Sequence, residues 1–307
     1  MQWPNASLRG VYGWQVSTVH LLTNPTARVG KAADSVAAIR RALTALGAEV
    51  VDITGATPDE TSVNLSRAVA EEAERVVIAG GDGLVHLAVQ SLARSSTIAG
   101  ICPVGTGNDF ANALGIPTDV DEAVTNALGD PTELDLMQVG TTWAASVATA
   151  GFSVEVNKKA NAMRFPRGAS RYTVATLLEL RGLSARQYRI VVDGQETEVE
   201  AALITVANTA FFGGGMEVTP GASPTDGLLD VTVVADVGRI ELLTWFRKVF
   251  SGRHLEHDAV STFRGRSVQL QSETIEVWAD GEPVSDHQTT IEAVPEALQV
   301  AGVTLPT

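Results

Sequence analysis

Residues 76–90 read VVIAGGDGLVHLAVQ. A short apolar run ends in Gly80-Gly81-Asp82-Gly83, and a segment with helical character follows. In an open α/β sheet, ligands bind beyond the carboxyl ends of the strands. Glycine lets the backbone approach a phosphate closely, and the first turn of a helix offers unpaired N–H groups to an anion. The stretch therefore has the features of a phosphate-binding turn.

The carboxylate of Asp82 is the unusual group in this turn. It would repel a phosphate unless a divalent cation lay between them, so it indicates the binding of a nucleotide together with Mg²⁺. The structural alternative is a tight strand-to-helix turn in which Asp82 is the N-cap of the helix. The tetrapeptide alone favours neither interpretation.

Strand-like and helix-like patterns alternate on both sides of this turn, through the first 135 residues. The apolar spacing predicts helices at Lys31–Leu46, Asp59–Ala73 and Leu84–Ala93. It predicts strands at Val16–Leu22, Ala48–Ile53, Arg75–Ala79 and Thr97–Val104. This βαβα order is typical of a mainly parallel sheet covered by helices.

The rhythm changes after Leu136. Helices are predicted at Asn157–Met163 and Tyr172–Leu183. Strands are predicted at Trp143–Ala150, Tyr188–Val192, Val199–Ala207, Leu229–Ala235, Val268–Gln271 and Thr274–Ala279. This second part is expected to be an antiparallel sandwich with inserted helices, and the boundary between the parts falls near residues 136–140.

The composition limits the partners of the chain. Its net charge of −14 argues against broad nucleic-acid binding and against bulk attraction to anionic lipid. Cys102 is the only cysteine, so neither an intrachain disulfide nor a cysteine-based metal site is expected. His254 and His257 have no carboxylate pattern beside them and are predicted to be surface residues. An apolar leader and a run of about 18 apolar residues are both missing, which indicates a cytoplasmic protein.

Two further polar turns are expected at the same edge of the first sheet. The stretch Gly105-Thr106-Gly107-Asn108-Asp109 again follows a strand and precedes a helix, which Asn108 or Asp109 could alternatively only cap. The loop after the first strand brings Arg28 and Lys31, the cations that a polyphosphate needs, although either alone is typical of a solvated loop. Two glycine-rich turns, each with an aspartate, together favour a phosphate site.

Seven short motifs occur in one order along the chain, and in that order they resemble the diacylglycerol kinase catalytic-domain family. This family includes bacterial diacylglycerol kinases, related lipid kinases, sphingosine kinases and ceramide kinases. The motifs are Asn24-Pro25, Gly80–Gly83, Gly105–Ala111, Glu133–Leu136, Gly213–Met216, Asp226–Val231 and Asp280–Glu282.

The resemblance implies an α/β fold with two domains. An NAD kinase-like α/β nucleotide-binding domain would span residues 1–137, and an antiparallel β-sandwich domain for the lipid substrate would span residues 138–291. Residues 292–307 would return to the first domain. The resemblance also implies an ATP-dependent kinase that phosphorylates a hydroxyl group of diacylglycerol or a related lipid and uses Mg²⁺.

The same resemblance implies roles for four carboxylates. Asp82 would organise the Mg²⁺-nucleotide, and Asp109 and Asp135 would act through a metal–water network. Glu282 would be the general base on the lipid hydroxyl, a role that burial near other acids would favour by raising its pKa. The alternative for Glu282 is a plain hairpin turn, since Asp-Gly-Glu is a common turn sequence.

Two further sets of residues are expected to hold ligands. A structural Mg²⁺ that ties the domains together is implied for Ser223, Asp226 and Leu228, partly through backbone oxygens. Contacts with the nucleotide are expected for Asn24, Arg28, Lys31, Thr54, Gly80, Gly81, Gly83, His86 and Thr106.

Leu87 and Asn112 depart from the family pattern. Bacterial members have an Asn-Glu pair where this chain has His86-Leu87, and sphingosine kinases have the histidine but keep the glutamate. Family members often have arginine at the position of Asn112. The chain therefore lacks one carboxylate and one cation of the pattern.

Two stretches are candidates for contact with a lipid surface. Residues 245–250 (WFRKVF) combine aromatic and basic side chains, and the alternative is an amphipathic helix that packs on its own domain. Arg164, Arg167 and Arg171 form a cationic cluster that suits lipid phosphate or solvent alike. The expected partners are a lipid substrate and, transiently, a membrane surface; nucleic acid is not expected, and a homodimer stays open.

Three functions follow from these observations. The favoured one is the lipid kinase, because the Asp226–Val231 signature is present. The second is a kinase of NAD or another soluble substrate, since the Gly80–Gly83 turn also resembles that of NAD kinases, although their Asn-Glu signature is not found. The third is a non-catalytic module that binds nucleotide or lipid, a reading motivated by Leu87 and Asn112.

Overall fold

The computed structural model describes residues 18–24, 31–163, 174–175, 178, 184–236 and 248–305, except for the side chains of residues 31, 32 and 161. Several sequence predictions lie outside these residues. They are the roles of Arg28 and of the Lys31 side chain, the cluster Arg164, Arg167 and Arg171, most of the helix expected at residues 172–183, and residues 245–247 of the aromatic and basic stretch.

The first half of the chain alternates strands and helices as the apolar pattern predicts. Its strands are β1 (Thr18–Thr23), β2 (Glu49–Asp52), β3 (Arg75–Gly80), β4 (Ile98–Pro103), β5 (Pro131–Val139) and β6 (Thr142–Ala144). Its helices are α1 (Lys31–Ala45), α2 (Pro58–Ala70), α3 (Asp82–Leu92), α4 (Asp109–Ala113) and α5 (Val120–Ala127). The last two helices are short; α4 follows the second glycine-rich turn as expected, and α5 was not predicted.

Four parallel strands set the edge at which the polar turns lie. They are ordered β2-β1-β3-β4, and each neighbouring pair is parallel. All six residues of β3 are buried, as expected for a parallel strand covered on both faces. Gly80 pairs with Pro103 at the carboxyl ends of β3 and β4, so the two glycine-rich turns leave the sheet side by side.

The second half is mostly antiparallel. Its strands are β7 (Val147–Gly151), β8 (Arg186–Val192), β9 (Gln195–Ala201), β10 (Leu203–Ala207), β11 (Phe211–Phe212), β12 (Met216–Glu217), β13 (Leu229–Val234), β14 (Val260–Gly265), β15 (Ser267–Gln271), β16 (Val277–Ala279), β17 (Glu282–Ser285) and β18 (Thr289–Ala301). Helix α6 (Phe152–Ala162) follows β7, and a 3₁₀-helix covers Arg253–Glu256.

Two sheets pack face to face in this half. The first sheet has ten strands and continues from β4 through β18, β15, β8 and β9, with β5 paired to β18 and β6 to β5. The second has six antiparallel strands in the order β14-β13-β10-β7-β16-β17. One apolar core fills the space between them, with Met137 and Leu270 from the first sheet and Ile204 and Val231 from the second. An α/β part joined to an antiparallel sandwich is thus confirmed.

Strand β18 belongs to both halves. It pairs with β15 at its start, runs along β5, and reaches the parallel strands where Val300 lies beside Ala99. The sequence reasoning placed a boundary between residues 291 and 292, and the strand crosses that point without interruption. The two halves are therefore held together by backbone hydrogen bonds.

Two predicted strands are each divided in the structure, for a common reason, and one helix begins earlier than predicted. The strands expected at Trp143–Ala150 and Val199–Ala207 are each two strands, because the chain steps from one sheet to the other at Ala145 and at Ala202. Both alanines are buried, so the apolar pattern shows no interruption there. Helix α6 begins at Phe152 rather than at residue 157, directly after Gly151, whose φ is 86°.

The surface position predicted for His254 is wrong. Its side chain is buried, and its Nε2 lies 2.9 Å from the carbonyl oxygen of Val218. Burial lowers the pKa of His254 and so favours the neutral ring. Among the helices that the structure describes, none is long and apolar enough to cross a membrane.

Candidate active site

A cleft lies where the two glycine-rich turns face the second half of the molecule. Its cavity measures about 140 Å³. The first half contributes Val85 and Phe110 and the second half contributes Phe212, so part of the lining is apolar. The polar lining comes from Asp82, Thr106, Asp109, Ser146 and Asp280. No lysine or arginine among the described residues lines this cavity.

Asp82 does not cap its own helix. Gly81 is the N-cap of α3, and Asp82 is the first helical residue. Its Oδ1 accepts a hydrogen bond of 3.2 Å from the N–H of Phe110, in the first turn of α4. The carboxylate therefore links the two turns, and the interpretation of Asp82 as an N-cap is wrong.

The second turn is closed by its own asparagine. Asn108 has a left-handed backbone with φ of 54°, and its side chain makes no cap hydrogen bond to α4. Its amide instead bridges Gly105, with Oδ1 accepting from the Gly105 N–H at 2.9 Å and Nδ2 donating to the Gly105 carbonyl at 3.2 Å. Asp109 then starts α4 with its carboxylate turned toward the other half.

The two turns touch through glycine. A Cβ on Gly105 would lie 2.5 Å from the Cα of Gly81, and a Cβ on Gly81 would lie 2.9 Å from the Cα of Gly105. Real Cβ atoms do not approach other atoms so closely, so both positions require glycine for space rather than for backbone conformation.

Replacing Gly105 by alanine is expected to lower the free energy of unfolding by about 1–3 kcal/mol, because the added methyl group forces the two turns apart. Denaturant titration measures this change. Gly83→Ala is the matched control, since no atom of the described residues lies within 4 Å of a Cβ at Gly83, a helical position where alanine is favoured. Equal stability of the Gly105 variant and the wild type would contradict the close approach.

Asp109 joins the second turn to the second half of the chain. It is buried, and its carboxylate accepts hydrogen bonds from the N–H groups of Gly214 at 2.9 Å and Gly215 at 2.8 Å. Burial raises the pKa of Asp109, against the lowering effect of these N–H groups. Gly213 and Gly214 also line the cleft, so this glycine loop and the two glycine-rich turns share its lining.

Asp82 has the most perturbed carboxyl group of the cleft. Its pKa is raised to about 6, chiefly by burial and then by the carboxylates of Asp109 and Asp280, while the N–H of Phe110 opposes the shift. A cation beside Asp82 would reverse this effect, because it favours the ionised carboxylate.

The donor set of the cleft fits one Mg²⁺ ion bound together with phosphate. A Cβ on Gly107 would lie 2.9 Å from Oδ2 of Asp82 and 3.4 Å from Oδ2 of Asp109, so these oxygens face one space that glycine leaves open. Among the described residues, no group of three His, Cys, Asp or Glu side chains is arranged to hold a metal. Mg²⁺ is commonly bound by one or two carboxylates, with phosphate oxygens and water completing its shell.

The residues expected to contact the nucleotide are only partly brought together. Thr106 lines the cleft, whereas Thr54 uses its Oγ1 to accept the Thr23 N–H at 2.9 Å, at the end of β1. Asn24 follows β1 and is exposed. His86 points to the second half, with its Nδ1 3.1 Å from Oδ2 of Asp280.

Asp280 is the cleft residue that sequence reasoning missed as a functional side chain. It occupies a left-handed turn with φ of 51°, a conformation in which aspartate is enriched. Its carboxylate accepts from the N–H groups of Ala145 and Ser146 at 2.8 and 2.9 Å and from that of Val147 at 3.3 Å. The Asp-Gly pair was noted only because it precedes Glu282.

Glu282 lies at the rim of the cleft. It begins β17 and is exposed, and the lining includes its neighbours Asp280 and Gly281 but not Glu282 itself. The burial that would favour a carboxylate base is therefore not found at Glu282. Its general-base role stays a prediction.

Asp135 is not among the residues that line the cleft, and its carboxylate binds the turn at Asp226-Gly227. It is buried, and its carboxylate accepts the N–H groups of Gly227 at 2.7 Å and Glu296 at 3.0 Å. Asn208 donates to the Asp135 carbonyl at 2.9 Å. The carboxylate thus holds two segments of the second half against β5.

The side chains of the expected structural-metal set are already engaged. Asp226 accepts the Leu228 N–H at 3.0 Å through Oδ1 and pairs with Arg264 through Oδ2. Ser223 Oγ lies 3.1 Å from Thr225 Oγ1. Arg264 already pairs with the Asp226 carboxylate, so a cation at this place would depend on backbone oxygens. The structural Mg²⁺ stays a prediction.

The two departures from the family pattern have structural consequences. Leu87 is half-buried and packs against the core of the parallel sheet. Asn112 donates from Nδ2 to the Gly107 carbonyl at 3.2 Å. Leu87 thus adds apolar contact, and Asn112 steadies the second turn without supplying charge.

Comparison with known proteins gives one consistent family. The family model described as "Diacylglycerol kinase catalytic domain" matches residues 18–139, and the one described as "YegS C-terminal NAD kinase beta sandwich-like domain" matches residues 146–302. A Mycobacterium tuberculosis (strain H37Rv) protein named diacylglycerol kinase is 38% identical over 294 residues, which cover 93% of this chain and 95% of that protein.

Two solved structures are similar in fold. A crystal structure described as a diacylglycerol kinase from Bacillus anthracis strain Sterne has a TM-score of 0.70 at 19% identity, and covers 93% of this chain and 96% of that one. An NAD kinase from Archaeoglobus fulgidus, solved in complex with ATP, has a TM-score of 0.53 at 16% identity, with 92% and 93% covered. At these identities the likeness concerns the fold alone.

Proposed function

The chain belongs to the diacylglycerol kinase family, and we propose that it transfers the γ-phosphoryl group of ATP to a hydroxyl group of diacylglycerol or a related lipid. One observation carries the proposal. In the cleft, Asp82 and Asp109 direct carboxylate oxygens to the space that Gly107 leaves open, between two glycine-rich turns. This arrangement suits a polyphosphate accompanied by a divalent cation.

The two halves would divide the work. Residues 1–137 would bind the nucleotide at the edge of the parallel sheet, with Thr106 near its phosphates or ribose. Residues 138–291 would bind the lipid, and residues 292–307 would return to the first part. The apolar lining residues Val85, Phe110 and Phe212 support a lipid substrate, because a hydroxyl group carried by a hydrocarbon chain needs an apolar approach to the carboxylates.

Phosphoryl transfer depends chiefly on the positioning of the reacting groups and on the neutralisation of phosphate charge. Mg²⁺ bound with ATP would neutralise the phosphate oxygens during transfer. Asp82 and Asp109 would fix the position of the nucleotide relative to the glycine loop at Gly213–Gly215. Glu282 would take the proton of the lipid hydroxyl from its place at the rim, where an incoming lipid headgroup would cover it.

Glu282→Gln is expected to lower kcat for lipid phosphorylation by about 10- to 100-fold, because glutamine cannot accept the proton of the hydroxyl group. Transfer of labelled phosphate from ATP at saturating lipid measures kcat. Glu198→Gln is the matched control, since Glu198 is also an exposed glutamate on an edge strand, β9. Unchanged kcat in the Glu282 variant would remove the base role from this residue.

A lipid substrate also requires contact with a membrane. We therefore expect the protein to contact a membrane surface transiently, while it is otherwise located in the cytoplasm. Sedimentation with diacylglycerol-containing vesicles, compared with vesicles that lack diacylglycerol, tests this. Binding that is indifferent to the substrate lipid would argue against substrate-directed contact.

A further inference from the structure

His86 and Gln90 lie four residues apart on α3, and residues four apart in a helix share a face. Arg94 follows the end of this helix and has a left-handed backbone with φ of 61°. The helix starts at Asp82, so the nucleotide turn lies at one end of it and these three side chains follow along the chain. All three side chains contact residues beyond β5, and we call these contacts the seam.

His86 makes the most buried contact of the seam. Its side chain is 12% exposed and that of Asp280 is 4% exposed, and the two atoms Nδ1 and Oδ2 lie 3.1 Å apart. A carboxylate can only accept, so Nδ1 of His86 donates. The same Oδ2 accepts the Ala145 N–H at 2.8 Å, which ties three chain segments to one carboxylate.

Gln90 and Arg94 extend the seam to Trp143. The amide of Gln90 donates to the Trp143 carbonyl at 2.7 Å and accepts the Trp143 N–H at 3.0 Å. The guanidinium of Arg94 lies 5.4 Å from the centre of the Trp143 ring. Trp143 is in β6, directly before the β6–β7 connection whose N–H groups bind Asp280. The seam therefore contacts the Asp280 carboxylate directly through His86, and it also contacts, through Trp143, the strand that precedes the N–H donors of Asp280.

The turn fixed by Asp280 leads straight into Glu282. β16 and β17 pair as a hairpin, with Asp280 and Gly281 as its turn and Glu282 as the first residue of β17. His86 thus connects this hairpin to α3, the helix that begins at Asp82. The family resemblance gave His86 a nucleotide contact, whereas its Nδ1 is used by Asp280.

We propose that His86 is a positioning residue that, with the seam, holds the Asp280–Glu282 turn in register with the nucleotide turn at the start of α3. The proposal rests on the lipid kinase function proposed above. Removal of His86 leaves Asp280 its three backbone donors, so the fold is retained while the turn loosens. A small displacement of reacting groups lowers the rate of transfer more than it weakens binding.

The kinetic test separates positioning from nucleotide binding. His86→Ala is expected to lower kcat for lipid phosphorylation about ten-fold or more and to leave KM for ATP within about three-fold of the wild type. His86→Asn, which can still donate to Asp280, is expected to recover kcat to within about three-fold of the wild type. His287→Ala is the matched control, because His287 also contacts an aspartate, Asp286 at 3.0 Å, but both side chains are exposed.

Two results would overturn the proposal. One is a His86→Ala variant in which both kcat and KM for ATP are those of the wild type, and the other is a raised KM for ATP with kcat unchanged, which would make His86 a nucleotide ligand. If His86→Ala does not fold, Gln90→Ala is measured in its place, with the same expected split between kcat and KM.

A structural measurement that does not depend on kinase activity tests the seam separately from the proposed function. If the wild type phosphorylates no lipid, the proposed function fails and the seam is judged by amide hydrogen exchange. His86→Ala is then expected to speed exchange at Ala145 and Ser146 about ten-fold, because their acceptor loses its partner on α3. Exchange as slow as in the wild type and in His287→Ala would overturn the seam.

Discussion

Asp82→Asn is expected to lower phosphoryl transfer to lipid by about 10²–10³-fold or more, because it removes the carboxylate that would bind the Mg²⁺ ion accompanying the phosphates. Asparagine has nearly the same shape, and its Oδ1 can still accept the Phe110 N–H, so the link between the two turns survives. The loss is expected in kcat and in the dependence on Mg²⁺ concentration. Steady-state transfer of labelled phosphate, measured over a range of Mg²⁺ concentrations, reports both.

The control for this variant is Asp121→Asn. Asp121 is likewise in the first turn of a helix, α5, but is exposed and remote from the cleft. It is expected to keep the wild-type rate. Wild-type transfer by Asp82→Asn would mean that the cleft carboxylate has no part in the reaction.

The same substitution is expected to stabilise the protein in the absence of ligand. Burial and two neighbouring carboxylates raise the pKa of Asp82 to about 6, above its ordinary value in the unfolded chain. Between about pH 4 and pH 6 the folded state therefore binds more protons than the unfolded state, and stability falls as pH rises through this window. Above the window, ionised Asp82 costs the folded state about 1–3 kcal/mol, which Asp82→Asn relieves.

Denaturant unfolding of both proteins in EDTA measures this effect. At pH 7.5 the variant is expected to have the higher free energy of unfolding by about 1–3 kcal/mol, and near pH 4 the difference is expected to vanish. A variant that loses activity while it gains stability would mark Asp82 as a group kept for function. If the variant is less stable at pH 7.5, then the Asp82 carboxylate is stabilised in the fold, and our account of its environment is wrong.

The sequence is sufficient to predict the edge of the sheet at which the candidate site lies. Parallel strands end at one edge, and the glycine-aspartate turns after β3 and β4 are local signals, visible in short windows. The alternative in which Asp82 only caps its helix could not be excluded from the sequence. The choice depends on Phe110, whose N–H reaches Asp82 from 28 residues away.

The parts that escaped sequence reasoning depend on distant backbone groups. Asp280 is held by N–H groups more than 130 residues earlier in the chain, and no local pattern reports them. Asp135 accepts hydrogen bonds from Gly227 and Glu296, which are also distant along the chain, and its role in a metal–water network stays a prediction. The split strands escaped because both sheets are buried, which leaves the apolar pattern continuous at Ala145 and Ala202.

We propose that this cleft transfers the γ-phosphoryl group of ATP to a lipid hydroxyl group. The most direct measurement offers γ-labelled ATP and Mg²⁺ to the full chain, with diacylglycerol and related lipids in mixed micelles and with NAD in a parallel reaction. We predict labelled phosphorylated lipid that requires Mg²⁺ and is lost in Asp82→Asn. Label in NADP with none in any lipid, or binding of ATP without transfer to either acceptor, would contradict the claim.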